Sequence, residues 1–293
     1  MGMNIRFLLS SNANNLRQAL LSSGRPTGTI EAEYGDEVVE GSHFTMAHHG
    51  PRAGQPAPCS YPNGFARISG NPFEGDVGLS HVDLDSLAGA GAVLERKPDA
   101  DTFWRLAEFY DLSGLHKIKL ASATDEDTRR LYAFLGWDSK NRVFPSQDGS
   151  ISVITDNVNN GLDTIERIVG GNSELLIAGD DFRAGQDELN KSSFKDFKGG
   201  VILRESDKDV NHLYSTPNGD IAKVVVTFKP SKGKITLSFA DPPKGKTAIE
   251  ILRELFGQDA GGHASIAGTP RDQKFIFNDA VRTFDRAVES IKT

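Results

Sequence analysis

Apolar positions along the first part of the chain fall into short runs separated by stretches with helical spacing. Residues 5–9 read as a strand and residues 15–21 as a short helix. Residues 29–46 alternate apolar and polar side chains, which predicts a β-hairpin with Gly35-Asp36 at its turn. A Pro- and Gly-rich loop over residues 51–72 is too long for a bare connector. The apolar run 77–80 then feeds the polar cluster His81-Val82-Asp83-Leu84-Asp85-Ser86, and an Ala- and Leu-rich helix follows over 86–95. A strand that ends in polar residues before a helix is how α/β folds build sites at the carboxyl ends of strands. Helical spacing recurs over 103–110, 125–135, 161–169 and 172–189.

The pattern changes near Asn190. Residues 198–203, 221–228 and 235–239 read as strands, 247–256 as an amphipathic helix and 257–268 as a Gly-rich turn. A strand over 274–277 and a helix over 278–291 close the chain. The expected architecture is α/β. An N-terminal α/β domain with a mainly parallel sheet, residues 1–190, precedes a smaller C-terminal α/β domain, residues 195–293. A length of 293 residues suits two domains.

Composition narrows the function classes. The formal net charge of −7 argues against a duplex-DNA binder, which needs a basic face. It leaves room for an enzyme that grips a short phosphate-bearing substrate beside bound cations. The single cysteine, Cys59, rules out an internal disulfide and a thiolate metal cage. No apolar stretch is long enough for a membrane span, so a cytoplasmic protein is expected. Oligomeric state is open, a dimer being one option.

The histidines and aspartates carry the candidate chemistry. If residues 81–85 stay extended, His81, Asp83 and Asp85 share one face. One imidazole and two carboxylates there suit one or two divalent cations, Mn²⁺ or Mg²⁺, with Zn²⁺ and Fe²⁺ also open. The bland alternative is a polar strand end with Asp85 as helix N-cap. His48-His49 follow an apolar strand and precede Gly50-Pro51-Arg52, a turn with a guanidinium suited to phosphate; they read equally as surface residues. Asp111 is either a helix terminus before Gly114 or a further metal carboxylate, and His116 a supporting residue. Gly261-Gly262-His263 can expose backbone N–H groups to phosphate or nucleotide, or be a plain turn.

Taken together these stretches resemble the DHH phosphoesterases with their associated C-terminal domain, a family that includes RecJ-like exonucleases and oligoribonucleases. His81-Val82-Asp83-Leu84-Asp85-Ser86 resembles the first motif. Ala47-His48-His49-Gly50-Pro51-Arg52, running on to Asn63, resembles the Asp-His-His motif. Gly261-Gly262-His263 with Ala267-Gly268 resembles the substrate-binding signature. The resemblance implies a hydrolase acting on a short oligonucleotide or nucleotide with two Mn²⁺ or Mg²⁺ ions. His48, His81, Asp83, Asp85 and Asp111 would be metal ligands. His49 and Arg52 would contact the scissile phosphate, and Gly261, Gly262 and His263 the far end of the substrate. A catalytically degenerate module that binds nucleotide or single strands, and a polyphosphatase, are the alternatives. Ala47 replaces the family's first Asp, the two motifs occur in reversed order, as a circular permutation would give, and Asp36 is the nearest counterpart of the intermediate Asp.

Overall fold

Strand β4 (Gly75–Leu79) is buried along its whole length, as a parallel strand covered on both faces must be. It pairs in parallel with β1 (Ile5–Leu9) on one side and β2 (Thr27–Ile30) on the other. Beyond β2 lies β3 (Phe44–Met46), also parallel, and beyond β1 the short antiparallel β5 (Ser152–Val153). The order is β3-β2-β4-β1-β5. These statements come from a computed structural model that describes residues 4–32, 39–49 and 52–291, apart from the side chains of Lys119 and Leu120. The chain divides into two compact units, residues 1–183 and 184–293, and the architecture is α/β.

Side-chain alternation assigns the two faces of the first sheet. Leu8 packs with Leu16 and Leu20 of α1 (Ala13–Ser22). Phe7 and Leu9 point the other way, into the main core with α2 (Leu84–Val93), α3 (Asp101–Ser113), α4 (Asp125–Asn141) and α5 (Thr155–Val169). Every residue of α2 is buried, as expected of a helix that is apolar all round. Its Gly89 allows close approach: a Cβ there would lie 3.0 Å from Met46 Sδ and Pro58 Cβ and 3.1 Å from Ile30 Cγ2. No described helix is long and apolar enough to cross a membrane.

The hairpin expected over residues 29–46 is not formed. β2 and β3 pair in parallel, Gly28 with Phe44 through Ile30 with Met46, so the two strands run in the same direction. Alternation of side chains carries no information on strand direction, and β2 is in fact buried along its whole length. The expected turn at Gly35-Asp36 lies outside the described residues.

The second unit is built on the sheet β10-β11-β9-β8-β7-β6. Its strands are β6 (Phe194–Lys198), β7 (Val201–Glu205), β8 (Val224–Lys229), β9 (Lys234–Phe239), β10 (Gly261–Gly262) and β11 (Ile266–Gly268). β7 and β8 pair in parallel and the other neighbours antiparallel. The single strand expected over 198–203 is divided by Gly199 and Gly200, whose φ angles of 58° and 84° turn the chain between β6 and β7. Val201 and Leu203 face α7 (Ala248–Phe256) and α8 (Phe277–Ile291). Thr247 and Glu250 cap α7 reciprocally. No strand forms over 274–277: β11 already occupies that side of β9, and Phe277 opens α8. Phe239 and Phe275 pack partly buried against this core.

Helix α6 (Ser173–Ser193) ends against Arg204, which is fully buried. The guanidinium donates to Asn190 O at 3.0 Å, Asn190 Oδ1 at 2.6 Å, Leu213 O at 2.8 Å and Ser193 Oγ at 2.9 Å. It binds the last helical turn to the loop before β8 through neutral acceptors alone.

Asp76 on β4 is the buried ion-pair centre of the first sheet. It accepts from Arg6 Nε at 2.9 Å, Arg6 Nη2 at 2.5 Å and Arg25 Nη1 at 2.8 Å. Burial opposes its ionisation, yet the two guanidinium groups hold its pKa below the ordinary 3.8. Its contribution is therefore present above that value and lost as pH falls through the lower folded pKa. Asp76→Ala is expected to lower unfolding free energy by about 2–3 kcal/mol at pH 7, less than a fully buried pair because Arg6 is half exposed. Urea melts should show the gap between the two proteins narrowing below about pH 4.

Candidate metal centre

The parallel strands deliver their carboxyl ends to one edge, and each turns away there with polar residues. Glu31 follows β2, Ala47-His48-His49 follow β3, and Ser80-His81 follow β4. Glu31 adopts φ 49°, a region that residues other than glycine rarely enter. Two neighbours impose it: the Glu31 N–H donates to Met46 O at 2.8 Å, and the Ser80 hydroxyl donates to Glu31 O. Backbone held in this way is characteristic of functional turns.

The chain is not extended through residues 81–85. Asp83 is the N-cap of α2: its Oδ1 accepts from Ser86 N at 2.9 Å, and Ser86 Oγ accepts from Asp83 N at 2.8 Å. Asp85 lies in the first turn of the helix and is not its cap. The period-two argument fails here because the helix begins at Leu84: Asp83 stays with His81, while Asp85 turns to Cys59 N and His48. Asp85 Oδ1 accepts from Cys59 N at 2.7 Å, in the 3-10 turn Pro58–Ser60, which aims Oδ2 at the cluster. Asp111 lies within α3, which continues to Ser113, and does not end it.

Five side chains converge. His48 Nε2 lies 3.0 Å from Asp111 Oδ2, 3.2 Å from Asp85 Oδ2 and 3.8 Å from Glu31 Oε1. His49 Nε2 lies 3.3 Å from Asp111 Oδ2 and 3.8 Å from Glu31 Oε2. Two groups of three meet the spacing of a cation site, Glu31-His48-His49 and His48-Asp85-Asp111. They share His48 Nε2, which has one lone pair, so they describe one centre.

The donor atoms fit a cation better than they fit one another. Glu31 Oε1, His48 Nε2, Asp85 Oδ2 and Asp111 Oδ2 are buried, and none makes a hydrogen bond. The close approaches within the cluster are ion-pair contacts without hydrogen-bond alignment. Buried polar atoms left in this state are costly, and a cation bound by all of them removes the cost. Two imidazoles and three carboxylates form a mixed nitrogen–oxygen set suited to Mn²⁺, Fe²⁺ or Zn²⁺, and less to Ca²⁺.

Without a cation the cluster retains protons. The carboxylates of Asp111 and Asp85 beside its ring raise the His48 imidazolium to about 10. Burial and then the Asp85 carboxylate push Glu31 up to about 8.

His81 and Asp83 form a pair of their own next to this centre. His81 Nε2 lies 3.2 Å from Asp83 Oδ2, and His81 Nδ1 lies 2.9 Å from Ser80 Oγ. Asp83 raises the His81 pKa; against burial, His81 and the Ser86 N–H hold Asp83 down at about 2. Arg52 opens the turn after His49, its N–H donating to His49 O at 3.0 Å. His116 lies in the 3-10 turn Leu115–Leu120 after α3.

Gly261, Gly262 and His263 belong to the second unit, on the exposed β10-β11 ribbon. Gly262 has φ 137°, and a Cβ there would lie 2.5 Å from Ile266 O, so the ribbon requires glycine. The His263 N–H is taken by Ile266 O at 2.8 Å.

Glu31 belongs to none of the sequence motifs; Asp36, the counterpart there of the intermediate Asp, lies outside the described residues. The available signal was an acid directly after the β-branched stretch Thr27-Gly28-Thr29-Ile30, which has little specificity until β2 is known to be parallel to β3 and β4. Neither protein-family models nor curated proteins give a match to this chain.

Cation binding must displace the protons on His48 and Glu31, since both groups are protonated at pH 7 when their pKa values stand near 10 and 8. Calorimetric titration with Mn²⁺ in buffers of different ionisation enthalpy is expected to show proton release. Apparent affinity should rise between pH 6 and 8 by up to about tenfold per pH unit for each proton displaced. Affinity independent of pH would contradict this assignment of protons.

Proposed function

We propose that this chain is a metal-dependent phosphoesterase of DHH type with its motif order permuted, acting on a phosphodiester in a short oligonucleotide or nucleotide. The observation that carries the reading is the convergence of four buried donor atoms without hydrogen bonds at the carboxyl edge of a parallel sheet. The sheet order supports the permutation: the His-His turn follows β3, the His-x-Asp-x-Asp turn follows β4, and β2 lies between them. A site needs its residues together in space and not in chain order.

Glu31, His48, Asp85 and Asp111 are the proposed ligands of a first Mn²⁺ or Mg²⁺. His81 Nε2 and Asp83 Oδ2, 3.2 Å apart, are the proposed ligands of a second. Divalent cations in such a centre furnish a water nucleophile near neutral pH and neutralise charge on the phosphoryl group. The protein's part is orientation and charge. Cys59 N–H fixes the Asp85 carboxylate, and the Ser80 hydroxyl fixes the Glu31 backbone. His49, half exposed at the mouth, is the residue to meet the scissile phosphate, with Arg52 beside it. In the second unit Gly261, Gly262 and His263 are candidates for phosphate contact by the same resemblance.

A binding module without catalysis is the second reading. It is favoured by Ala47, which leaves the His-His pair without a preceding carboxylate. Glu31 weighs against it, since it follows β2 at the position next to Ala47 in the parallel register.

Mn²⁺-dependent cleavage of short single-stranded DNA and RNA oligomers is expected from the wild-type chain. Asp85→Asn and His81→Ala should each lose at least about 100-fold in rate, the upper end for disturbing a metal's supporting residues. Unchanged rates in both variants would overturn the assignment. Mn²⁺ and nucleotide binding without cleavage would favour the binding module.

A further inference from the structure

The segment after α4 runs along the same edge of the sheet as the metal centre. Ser11 Oγ donates to Ser146 O at 3.0 Å, and Ser10 Oγ donates to Gly149 O at 2.7 Å, both just past the end of β1. β1 is the neighbour of β4, whose end carries His81 and Asp83. Residues 142–149 therefore border the centre on the side away from β3.

Three features hold the start of this segment. Arg142 is the C-cap of α4, and its Nε and Nη2 reach Asp138 Oδ2 at 2.8 and 2.5 Å. Its guanidinium stays charged against burial because of Asp138, with smaller contributions from Asp83, the partner of His81, and from Tyr110. Val143 packs partly buried on the main core. Pro145 restricts the backbone of Phe144 to extended conformations.

Phe144 is held between these anchors with 73% of its surface exposed, more than any other large apolar side chain described. A lone exposed apolar residue is ordinary. Here an exposed ring follows two residues after an accessible guanidinium, at the rim of a centre built from carboxylates. An anionic substrate approaching those carboxylates needs local positive charge, and a ring with one free face is a stacking platform for any base.

We propose that Arg142 and Phe144 form a nucleotide grip at the rim of the metal centre, Arg142 pairing with a phosphate next to the scissile one and Phe144 stacking on the base. The proposal rests on the phosphoesterase reading and narrows its substrate class to nucleotides over inorganic polyphosphate, which has no base to stack.

The test uses the full chain loaded with Mn²⁺ and two substrates, 5′-phosphorylated diadenylate and tripolyphosphate. Phe144→Ala is expected to raise KM for the dinucleotide roughly tenfold, the usual loss for one stacked base, with kcat little changed. It should leave tripolyphosphate kinetics unaltered, and Phe144→Trp should restore the dinucleotide KM. Arg142→Gln should raise KM for both substrates. An unchanged dinucleotide KM in Phe144→Ala, or cleavage of tripolyphosphate alone by the wild type, would overturn the grip. If the wild type cuts neither substrate, the phosphoesterase reading falls and the grip is judged by calorimetric binding of AMP. Weaker AMP binding in Phe144→Ala then supports it; equal or absent binding rejects it.

Discussion

Parallel hydrogen bonding among β3, β2 and β4 brings three strand ends to one edge of the first sheet, and Glu31, His48 and His49 meet because of that alignment. Had β2 and β3 formed a hairpin, Glu31 and His48 would stand at opposite ends of their strands. The alignment is reinforced across the strands: Glu31 is bonded to Met46 on one side and Ser80 on the other. Helix α2 completes the arrangement. It lies close over Met46, Ile30 and Pro58 because Gly89 has no side chain, and it carries Asp85 in its first turn.

The centre gathers more negative charge than burial alone tolerates. Three carboxylates meet around one buried imidazole, and the cluster answers by holding protons on His48 and Glu31. Such a site opposes folding stability unless a cation enters, which is the common trade between stability and function. The rest of the unit offsets it with apolar packing on both faces of β4 and with the buried Asp76–Arg6–Arg25 group at the other end of that strand.

The second unit relies on different means. Its sheet alternates between a helix-covered face and a face where Arg204 gathers backbone and side-chain oxygens from the end of α6 and the loop before β8. A fully buried guanidinium with neutral acceptors alone is a specific device: a lysine offers too few donors to satisfy the same set.

Much of the architecture was legible in the chain itself. Apolar runs located β1, β4 and β9, helical spacing located α2 through α8, and the change of pattern near Asn190 marked a second unit, because local periodicity records which faces are covered. The polar residues of the centre were also visible: His48, His49, Asp85 and Asp111 stood out as residue types in clusters. Tertiary structure decided three things that periodicity does not encode. It set β2 and β3 parallel. It began α2 at Leu84, so that Asp83 caps the helix and pairs with His81 while Asp85 turns to the centre. It brought Glu31 to His48 from a separate strand. Strand direction and partner choice arise from long-range pairing, and an acid after a strand acquires meaning only when that pairing brings other donor atoms within reach of it.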